Sequence, residues 1–199
     1  TPAMELEAFP DGVVLLRMLE RAGRNTFTAA FMDGIEEAFA AIAAMPEAKV
    51  VVLTGHDGYF ACGGTSEGLT ELQAGEARFT DRRIYSLPLA CPLPVIAAMQ
   101  GHGIGAGWSL GLYCDAAIFA TEGLYHSNYL WYGFTPGAGA TLIFPHRLGD
   151  DLGREVLFSA REYRGRELAG RARHLDVLPA ARVLGEALAR AHALARQPK

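Results

Sequence analysis

Two stretches of this sequence decide its fold: VVVLTGHDGYFACGGTSEGL (residues 50–69) and PVIAAMQGHGIGAGWSLGLYCDAAI (residues 94–118). In each, an apolar segment typical of a buried strand runs into a glycine-rich turn, and a helical pattern follows. Glycine is needed where backbone N–H groups approach a ligand closely, and a helix that begins at such a turn has free N–H groups. Two such groups from different turns, converging on one oxygen, would form an oxyanion hole. The pattern alone leaves tight-turn packing and ligand binding both open.

Outward from these stretches, strand patterns alternate with helical ones. Thr28 is suited to cap a helix whose apolar positions recur as far as Met45, and residues 66–90 have a helical pattern that is broken around Gly75. The other predicted strands are residues 12–19, 49–54, 59–62, 94–99 and 116–120, and the other predicted helices are 108–114 and 180–196. This alternation predicts one α/β domain with a mostly parallel sheet.

The composition is that of a globular chain without a nucleic-acid or membrane signature. Of its 199 residues 50% are hydrophobic, and the formal net charge of −4 argues against a nucleic-acid partner. No run of about 18 uncharged apolar residues occurs, and no charged start leads into a short apolar run, so neither a membrane span nor secretion is expected. The three cysteines, Cys62, Cys91 and Cys114, show no disulfide or metal-binding spacing, which predicts a cytoplasmic protein without a metal site.

The glycine turns do not fit the common phosphate loops. The pattern GxxxxGK[ST] is absent, and the chain has only two lysines, Lys49 and Lys199. The run GHGIGAG (residues 101–107) has the wrong spacing for a dinucleotide loop, and no acidic residue ends a strand about 20 positions later. A nucleotide cofactor is therefore not expected.

Three segments, FACGGTSEGL (60–69), AAMQGHGIGAGWSLGLYCDAAI (97–118) and YGFTPGAGAT (132–141), are similar to the crotonase (enoyl-CoA hydratase/isomerase) superfamily in the same order. The resemblance implies a spiral of ββα units, usually assembled as trimers or dimers of trimers. It also implies acyl-thioester substrates whose carbonyl oxygen is held by two backbone amides, which fall here on Gly64 and Ala106.

The resemblance further implies a spiral core over residues 1–178 and a C-terminal helical region that begins at residues 179–199. Relative to the family this region is expected to be truncated. The family continues for several tens of residues beyond the position of Lys199, with helices that cover the acyl pocket and, in its decarboxylases, a catalytic histidine.

Hydratases of this superfamily use two glutamates, and this sequence has neither. The corresponding positions are Ser109, three residues beyond the second amide, and Tyr129, seven residues before Pro136. A serine hydroxyl and a phenol with an ordinary pKa of about 10 cannot replace paired carboxylates as acid and base at neutral pH. An oxyanion hole without a strong base suits decarboxylation, because loss of CO2 leaves a carbanion that delocalises into the thioester.

A closer similarity supports that interpretation. GGTSEGL, RFTDRRIYSL and YRGREL resemble the second crotonase-type enzyme of polyketide β-branching cassettes, which decarboxylates 3-methylglutaconyl thioesters on an acyl-carrier protein to 3-methylcrotonyl thioesters. The resemblance implies no cofactor beyond the phosphopantetheine arm that the substrate carries. Arg78 stands where that family has a lysine. Arginine keeps the positive charge and binds carboxylates through two hydrogen bonds, but it does not release a proton near neutrality.

The remaining candidates lie around the two turns and on the segment before Pro136. We predict that the substrate pocket also includes Cys62, Gly63, Gly105, Ser109, His126, Tyr129 and Trp131. Core packing is the alternative for Cys62, because the motif supplies no base for a nucleophile. Of His126, Ser127 and Asn128, one is expected to face the substrate, whereas Tyr129 and Trp131 are expected to keep the pocket dry. Two other functions remain open: a hydratase or isomerase of the same superfamily, and a non-catalytic subunit that binds acyl thioesters.

Overall fold

A six-stranded sheet forms the centre of the protein, described here from a computed structural model that covers residues 2–78, 80–172 and 174–198. Phe79, within the RFTDRRIYSL motif, lies outside these ranges. The strands are β1 (Met4–Ala8), β2 (Val13–Met18), β3 (Val50–Thr54), β5 (Val95–Met99), β7 (Ala116–Ala120) and β10 (Asp176–Leu178), and they are hydrogen-bonded in that order. Only the β1–β2 pair is antiparallel; the other pairs of this sheet are parallel.

The central strands are buried on both faces, as their continuous apolar sequences predict. All five residues of β3 and all five of β5 are buried. Alternate residues enter two separate apolar clusters, because successive side chains of a strand point to opposite faces. One cluster packs on α1 (Ala29–Ala43) and α4 (Ala106–Leu112), and the other packs on α8 (Ala180–Ala195).

A second sheet of four short strands carries the glycine-rich turns. Its strands are β4 (Tyr59–Ala61), β6 (His102–Ile104), β8 (Leu124–His126) and β9 (Glu162–Arg164), again in that order. The first three are parallel to one another, and β9 is antiparallel to β8. The sequence pattern indicates only a turn at residues 102–104, yet these residues pair on both sides. The pairing places both glycine-rich turns in one sheet.

The remaining helices surround these two sheets. They are α2 (Ser66–Ala74), α3 (Leu87–Ala90), α5 (Ala140–Leu148), α6 (Asp150–Ser159) and α7 (Gly165–Arg171), with short 3-10 helices at Ile84–Ser86 and Tyr129–Tyr132. No helix in the described part of the chain has both the length and the apolar character needed to cross a membrane.

Most predicted elements are confirmed, and their differences have local causes. Thr28 caps α1 through a bond from the Phe31 amide, as predicted. The break predicted around Gly75 is confirmed, because this glycine ends α2 in the left-handed conformation with a φ of +75°. The helical pattern that follows forms only a 3-10 turn at Ile84–Ser86 and the short helix α3. The α/β class with a mostly parallel sheet is confirmed. The boundary between residues 178 and 179 stays a prediction, with α8 packed on the six-stranded sheet.

Candidate active site

The first glycine turn is held by a buried asparagine. Cys62 donates its backbone N–H to the Asn25 carbonyl at 3.1 Å, and the Phe27 amide donates to the Gly63 carbonyl at 2.7 Å. The Asn25 side chain also donates to the Phe60 carbonyl at 2.9 Å. Gly63 has a φ of +68°, a conformation that favours glycine. The loop before α1 therefore fixes the path of the chain on which Gly64 lies.

The second glycine turn places a free helix amide beside the first. Gly105 has φ and ψ of 53° and −126°, a combination open almost only to glycine, and its N–H donates to the His126 carbonyl at 2.8 Å. Helix α4 begins at the next residue, Ala106. First-turn amides of a helix have no partner within it.

Close backbone packing brings the two turns together. A Cβ atom built on Gly63 would lie 3.1 Å from the Ala106 nitrogen, and one built on Gly107 would overlap the Ala61 carbonyl. Among the described residues, no acceptor is recorded for the backbone N–H of either Gly64 or Ala106. Both residues line the same cavity, which has a volume of about 410 Å³. Two unused main-chain donors are thus adjacent at one concave site.

The walls of this cavity are largely aromatic and aliphatic. The apolar and aromatic side chains come from the segment before α1, from α1, α2 and the two 3-10 helices, and from the loop after the second 3-10 helix. They belong to Phe27, Met32, Leu69, Leu72, Tyr85, Tyr132 and Phe134. A largely apolar wall with few polar groups is typical of a small-molecule site. It also lowers the local dielectric, so that hydrogen bonds from the two turns act more strongly on a developing charge.

The two positions that hold glutamates in hydratases are adjacent here. The Ser109 Oγ and Tyr129 Oη atoms are 3.4 Å apart, and both side chains are buried. Burial raises the pKa of the Tyr129 phenol well above its usual range, and the bond to Ser109 offsets this only in part. Neither group is a carboxylate, so the pair cannot deliver and remove protons as two glutamates do.

One arginine at the cavity has no acidic partner among the residues that the structure describes. Arg78 lines the cavity, and within the described ranges no carboxylate lies at ion-pair distance from its guanidinium group. The neighbouring Arg82 is paired instead with Asp33 at 2.9 Å and Glu36 at 2.5 Å. Asp81 contributes only by accepting the Arg78 backbone N–H at 2.8 Å. Of the two arginines that line the cavity, Arg78 is therefore the one that is available to bind an incoming anion.

Residues 8–199 match the family model described as enoyl-CoA hydratase/isomerase. The chain belongs to this family. It is 45% identical over 196 residues to the bacillaene synthase decarboxylase PksI of Bacillus subtilis (strain 168), which covers 98% of this chain and 79% of PksI. It superposes with a TM-score of 0.97 on a structure from a dehydratase/decarboxylase couple involved in polyketide β-branching, at 45% identity over 98% of this chain and 80% of the other.

A third relative has the same chemistry. The ECH2 decarboxylase domain of CurF from Lyngbya majuscula superposes with a TM-score of 0.94 at 36% identity, and the match covers 100% of this chain and 81% of that chain. Together these relatives place the chain among the crotonase-family decarboxylases of polyketide β-branching. Decarboxylation does not need the two glutamates of the hydratases, so this family membership agrees with Ser109 and Tyr129 at those two positions.

Six of the ten predicted site residues line the cavity. They are Cys62, Gly64, Arg78, Gly105, Ala106 and Tyr129. Burial raises the pKa of the Cys62 thiol to about 11, so it is protonated at neutral pH and is a poor nucleophile. Packing against the turn, the alternative given for Cys62, agrees with this environment.

The other four predicted residues lie outside the cavity wall. Gly63 faces the Ile104 carbonyl and the Ala106 amide, so it shapes the turn from behind. Ser109 is fully buried beyond the wall and reaches it only through its bond to Tyr129.

The predictions for His126 and Trp131 as pocket residues are not supported by their positions. The Nε2 atom of buried His126 lies 2.7 Å from the Ala160 carbonyl oxygen, so this side chain is used in the fold. Trp131 is 63% exposed and packs edge-on against His126, with the ring centroids 4.3 Å apart. Of His126, Ser127 and Asn128, from which one was expected to face the substrate, Asn128 lines the cavity.

Sequence reasoning missed most of the aromatic wall. Phe27, Tyr85, Tyr132 and Phe134 come from segments far apart along the chain, and only tertiary packing brings them together. Tyr132 and Phe134 lie within YGFTPGAGAT, and Tyr85 lies within RFTDRRIYSL, two motifs that carry the family resemblance. A signal was therefore present for these three residues. None was present for Phe27.

Proposed function

We propose that this protein decarboxylates 3-methylglutaconyl thioesters attached to an acyl-carrier protein and produces 3-methylcrotonyl thioesters. The bond between the carboxylate carbon and its neighbouring CH2 breaks, and CO2 leaves. The electron pair moves through the conjugated double bond into the thioester carbonyl, which becomes an enolate. One proton added to the same CH2 carbon completes the product, so that one substrate and one proton give one product and one CO2.

The observation that carries this proposal is the pair of unused amides at Gly64 and Ala106 beside an aromatic cavity. Charge accumulates on the thioester oxygen as CO2 leaves, and donors already oriented toward that position stabilise the transition state more than the substrate. Removal of a single such donor typically costs about 100-fold to 1,000-fold in rate. Because no C–H bond is broken first, the absence of both glutamates does not hinder this reaction.

Arg78 is proposed to bind the substrate carboxylate. Its guanidinium group has no carboxylate partner among the described residues and lines the same cavity. Arginine holds its proton near neutrality, so its role is to position the carboxylate rather than to protonate the enolate. Aromatic residues that line the same cavity, Tyr85 and Tyr132 among them, reduce hydration of the carboxylate and thereby favour its conversion to neutral CO2.

The proposed partner is an acyl-carrier protein, which the polyketide β-branching context of the relatives supports. The phosphopantetheine arm would arrive with the substrate, and the reaction as written uses no cofactor bound by the protein. We also propose a homotrimer, in line with the family. Exposed apolar side chains such as Leu142 and Phe158 are available for burial between subunits. A cytoplasmic location is supported by three free cysteines.

Intact-protein mass spectrometry tests the proposal directly. Carrier protein loaded with the 3-methylglutaconyl group is incubated with this chain, and the loaded species is expected to lose the mass of one CO2. Unchanged substrate with measurable carrier-protein binding would instead support a non-catalytic acyl-thioester subunit. Addition of water to a crotonyl-type thioester would support a hydratase, which Ser109 and Tyr129 do not favour.

A further inference from the structure

Strand pairing brings Asn128 to the edge of the second glycine turn, a position that the sequence did not predict. Ile104 of β6 pairs with His126 of β8 in parallel register. Directly after β6, the Gly105 amide donates to the His126 carbonyl at 2.8 Å, so the chain from His126 to Asn128 runs beside the second glycine turn. Asn128 and Ala106 both line the cavity, so the asparagine and one of the two proposed oxyanion donors belong to the same site.

The glycine at position 105 makes room for this asparagine. A Cβ atom built on Gly105 would lie 2.9 Å from the Asn128 Oδ1 atom, and the Cγ atom is farther away at 4.0 Å. The oxygen therefore faces Gly105, and the NH2 end of the carboxamide is directed away from Gly105. Any larger residue at position 105 would displace the carboxamide.

The carboxamide of Asn128 has no hydrogen-bond partner among the described residues. The chain has one other asparagine, Asn25, and its side chain makes three hydrogen bonds to backbone groups. A carboxamide carries two N–H donors and an acceptor oxygen, and unpaired polar groups in a partly buried, aromatic site are unfavourable. The contrast between the two asparagines indicates that the Asn128 carboxamide binds a ligand, whereas that of Asn25 stabilises the fold.

We propose that Asn128 is a substrate-binding residue that donates a third hydrogen bond, from its Nδ2 atom, to the thioester oxygen as that oxygen becomes an enolate. This inference rests on the proposed decarboxylation. It adds a side-chain donor to the two main-chain donors at Gly64 and Ala106. An enolate oxygen has enough lone-pair density to accept from all three, and the side-chain donor acts most strongly in the transition state.

Two substitutions at this position separate donation from packing. Asn128→Ala removes the donor and is expected to lower kcat about 100-fold with a smaller change in KM. Asn128→Asp keeps the shape, but its carboxylate cannot donate and adds negative charge beside the enolate. Its kcat at neutral pH is expected to fall below that of Asn128→Ala and to recover as pH falls from 8 to 5, because the protonated acid donates again.

The controls make each outcome interpretable. The kcat ratio of variant to wild type is taken at each pH, so that any pH dependence from the other charged and ionisable groups of the cavity, which both proteins share, cancels. These groups are Cys62, Glu71, Arg78, Asp81, Arg82, Tyr85, Tyr129 and Tyr132. Ser127→Ala changes a neighbouring buried residue outside the cavity wall and is expected to keep wild-type kcat. Thermal melting confirms that each variant is folded. If Asn128→Asp does not fold, the kcat of Asn128→Ala alone tests the inference.

The possible failures are distinct. No CO2 loss with the wild-type chain would refute the proposed function itself. A wild-type chain that turns over substrate, together with Asn128→Ala within threefold of it, would overturn the inference about Asn128. The same holds if the kcat ratio of Asn128→Asp does not change with pH, because a side chain that only fills space would give that result.

Discussion

Replacement of Asn25 by alanine is expected to destabilise the protein strongly, although this residue lies outside the cavity. Its side chain is fully buried. The Nδ2 atom donates to the Met18 carbonyl at 3.1 Å and to the Phe60 carbonyl at 2.9 Å, and the Oδ1 atom accepts from the Glu20 amide at 2.9 Å. One side chain thus joins the end of β2 to the strand that leads into the first glycine turn.

The size of the effect follows from these bonds and from the backbone. Each neutral hydrogen bond contributes about 1 kcal/mol net, so losing three costs about 3 kcal/mol. Asn25 also has a φ of +57°, and alanine adopts that conformation at a cost of about 1 kcal/mol more than asparagine or glycine. We therefore expect Asn25→Ala to lose about 4 kcal/mol, a large part of the stability of a typical domain.

Urea denaturation at a fixed protein concentration measures this loss. Asn25→Gly removes the same three bonds without the backbone penalty, so it should be about 1 kcal/mol more stable than Asn25→Ala. Asn128→Ala is the matched control, because it truncates the other asparagine and should change the free energy of unfolding by less than about 0.5 kcal/mol. A loss below about 1 kcal/mol for Asn25→Ala, or a glycine variant less stable than the alanine variant, would refute this reasoning.

Three further predictions concern the cavity and the surface. Arg78→Ala should lower kcat/KM about 10-fold, since an exposed charged hydrogen bond contributes about 1.4 kcal/mol, and Arg78→Lys should retain part of the activity; equal activity of all three proteins would contradict carboxylate binding. Gly107→Ala should reduce turnover at least 10-fold because its Cβ meets the Ala61 carbonyl, whereas Gly185→Ala, which meets nothing, should keep wild-type turnover and gain about 0.5–1 kcal/mol in urea. The Arg171 guanidinium lowers the pKa of Glu155 to about 2, so its stabilisation is complete above the unfolded value of 4.5 and is lost as pH falls toward 2; the Tm difference between wild type and Glu155→Gln should shrink across that range, and a constant difference would disprove the linkage.

The fold was largely predictable because its signals are local. Continuous apolar runs such as residues 50–54 and 95–99 indicate strands buried on both faces, and the structure has them in the central sheet. The short strand at His102–Ile104 was not predictable. Its three residues resemble a turn, and they form a strand only because β4 and β8 lie on either side.

The cavity was predictable only where a residue is adjacent to a glycine turn. Gly64, Gly105 and Ala106 line it, as the turns indicate. His126 and Trp131 have suitable chemistry and suitable sequence positions, but neither lines the cavity. The His126 ring is hydrogen-bonded to the Ala160 carbonyl, and the Trp131 side chain is exposed to solvent. Side-chain direction depends on neighbours that are distant in sequence, and periodicity does not report it.

The sequence by itself determined the α/β class, the two glycine-rich turns and the loss of both glutamates, because each of these depends on residue type at a fixed spacing. Only the tertiary structure decided that the turns meet and that, among the described residues, Arg82 has two acidic partners whereas Arg78 has none. It also decided that the Asn25 side chain makes three hydrogen bonds within the fold, whereas the Asn128 side chain makes none to the described residues. The physical reason is that hydrogen bonds and ion pairs act over a few ångströms. Which groups come that close is set by the packing of the whole chain.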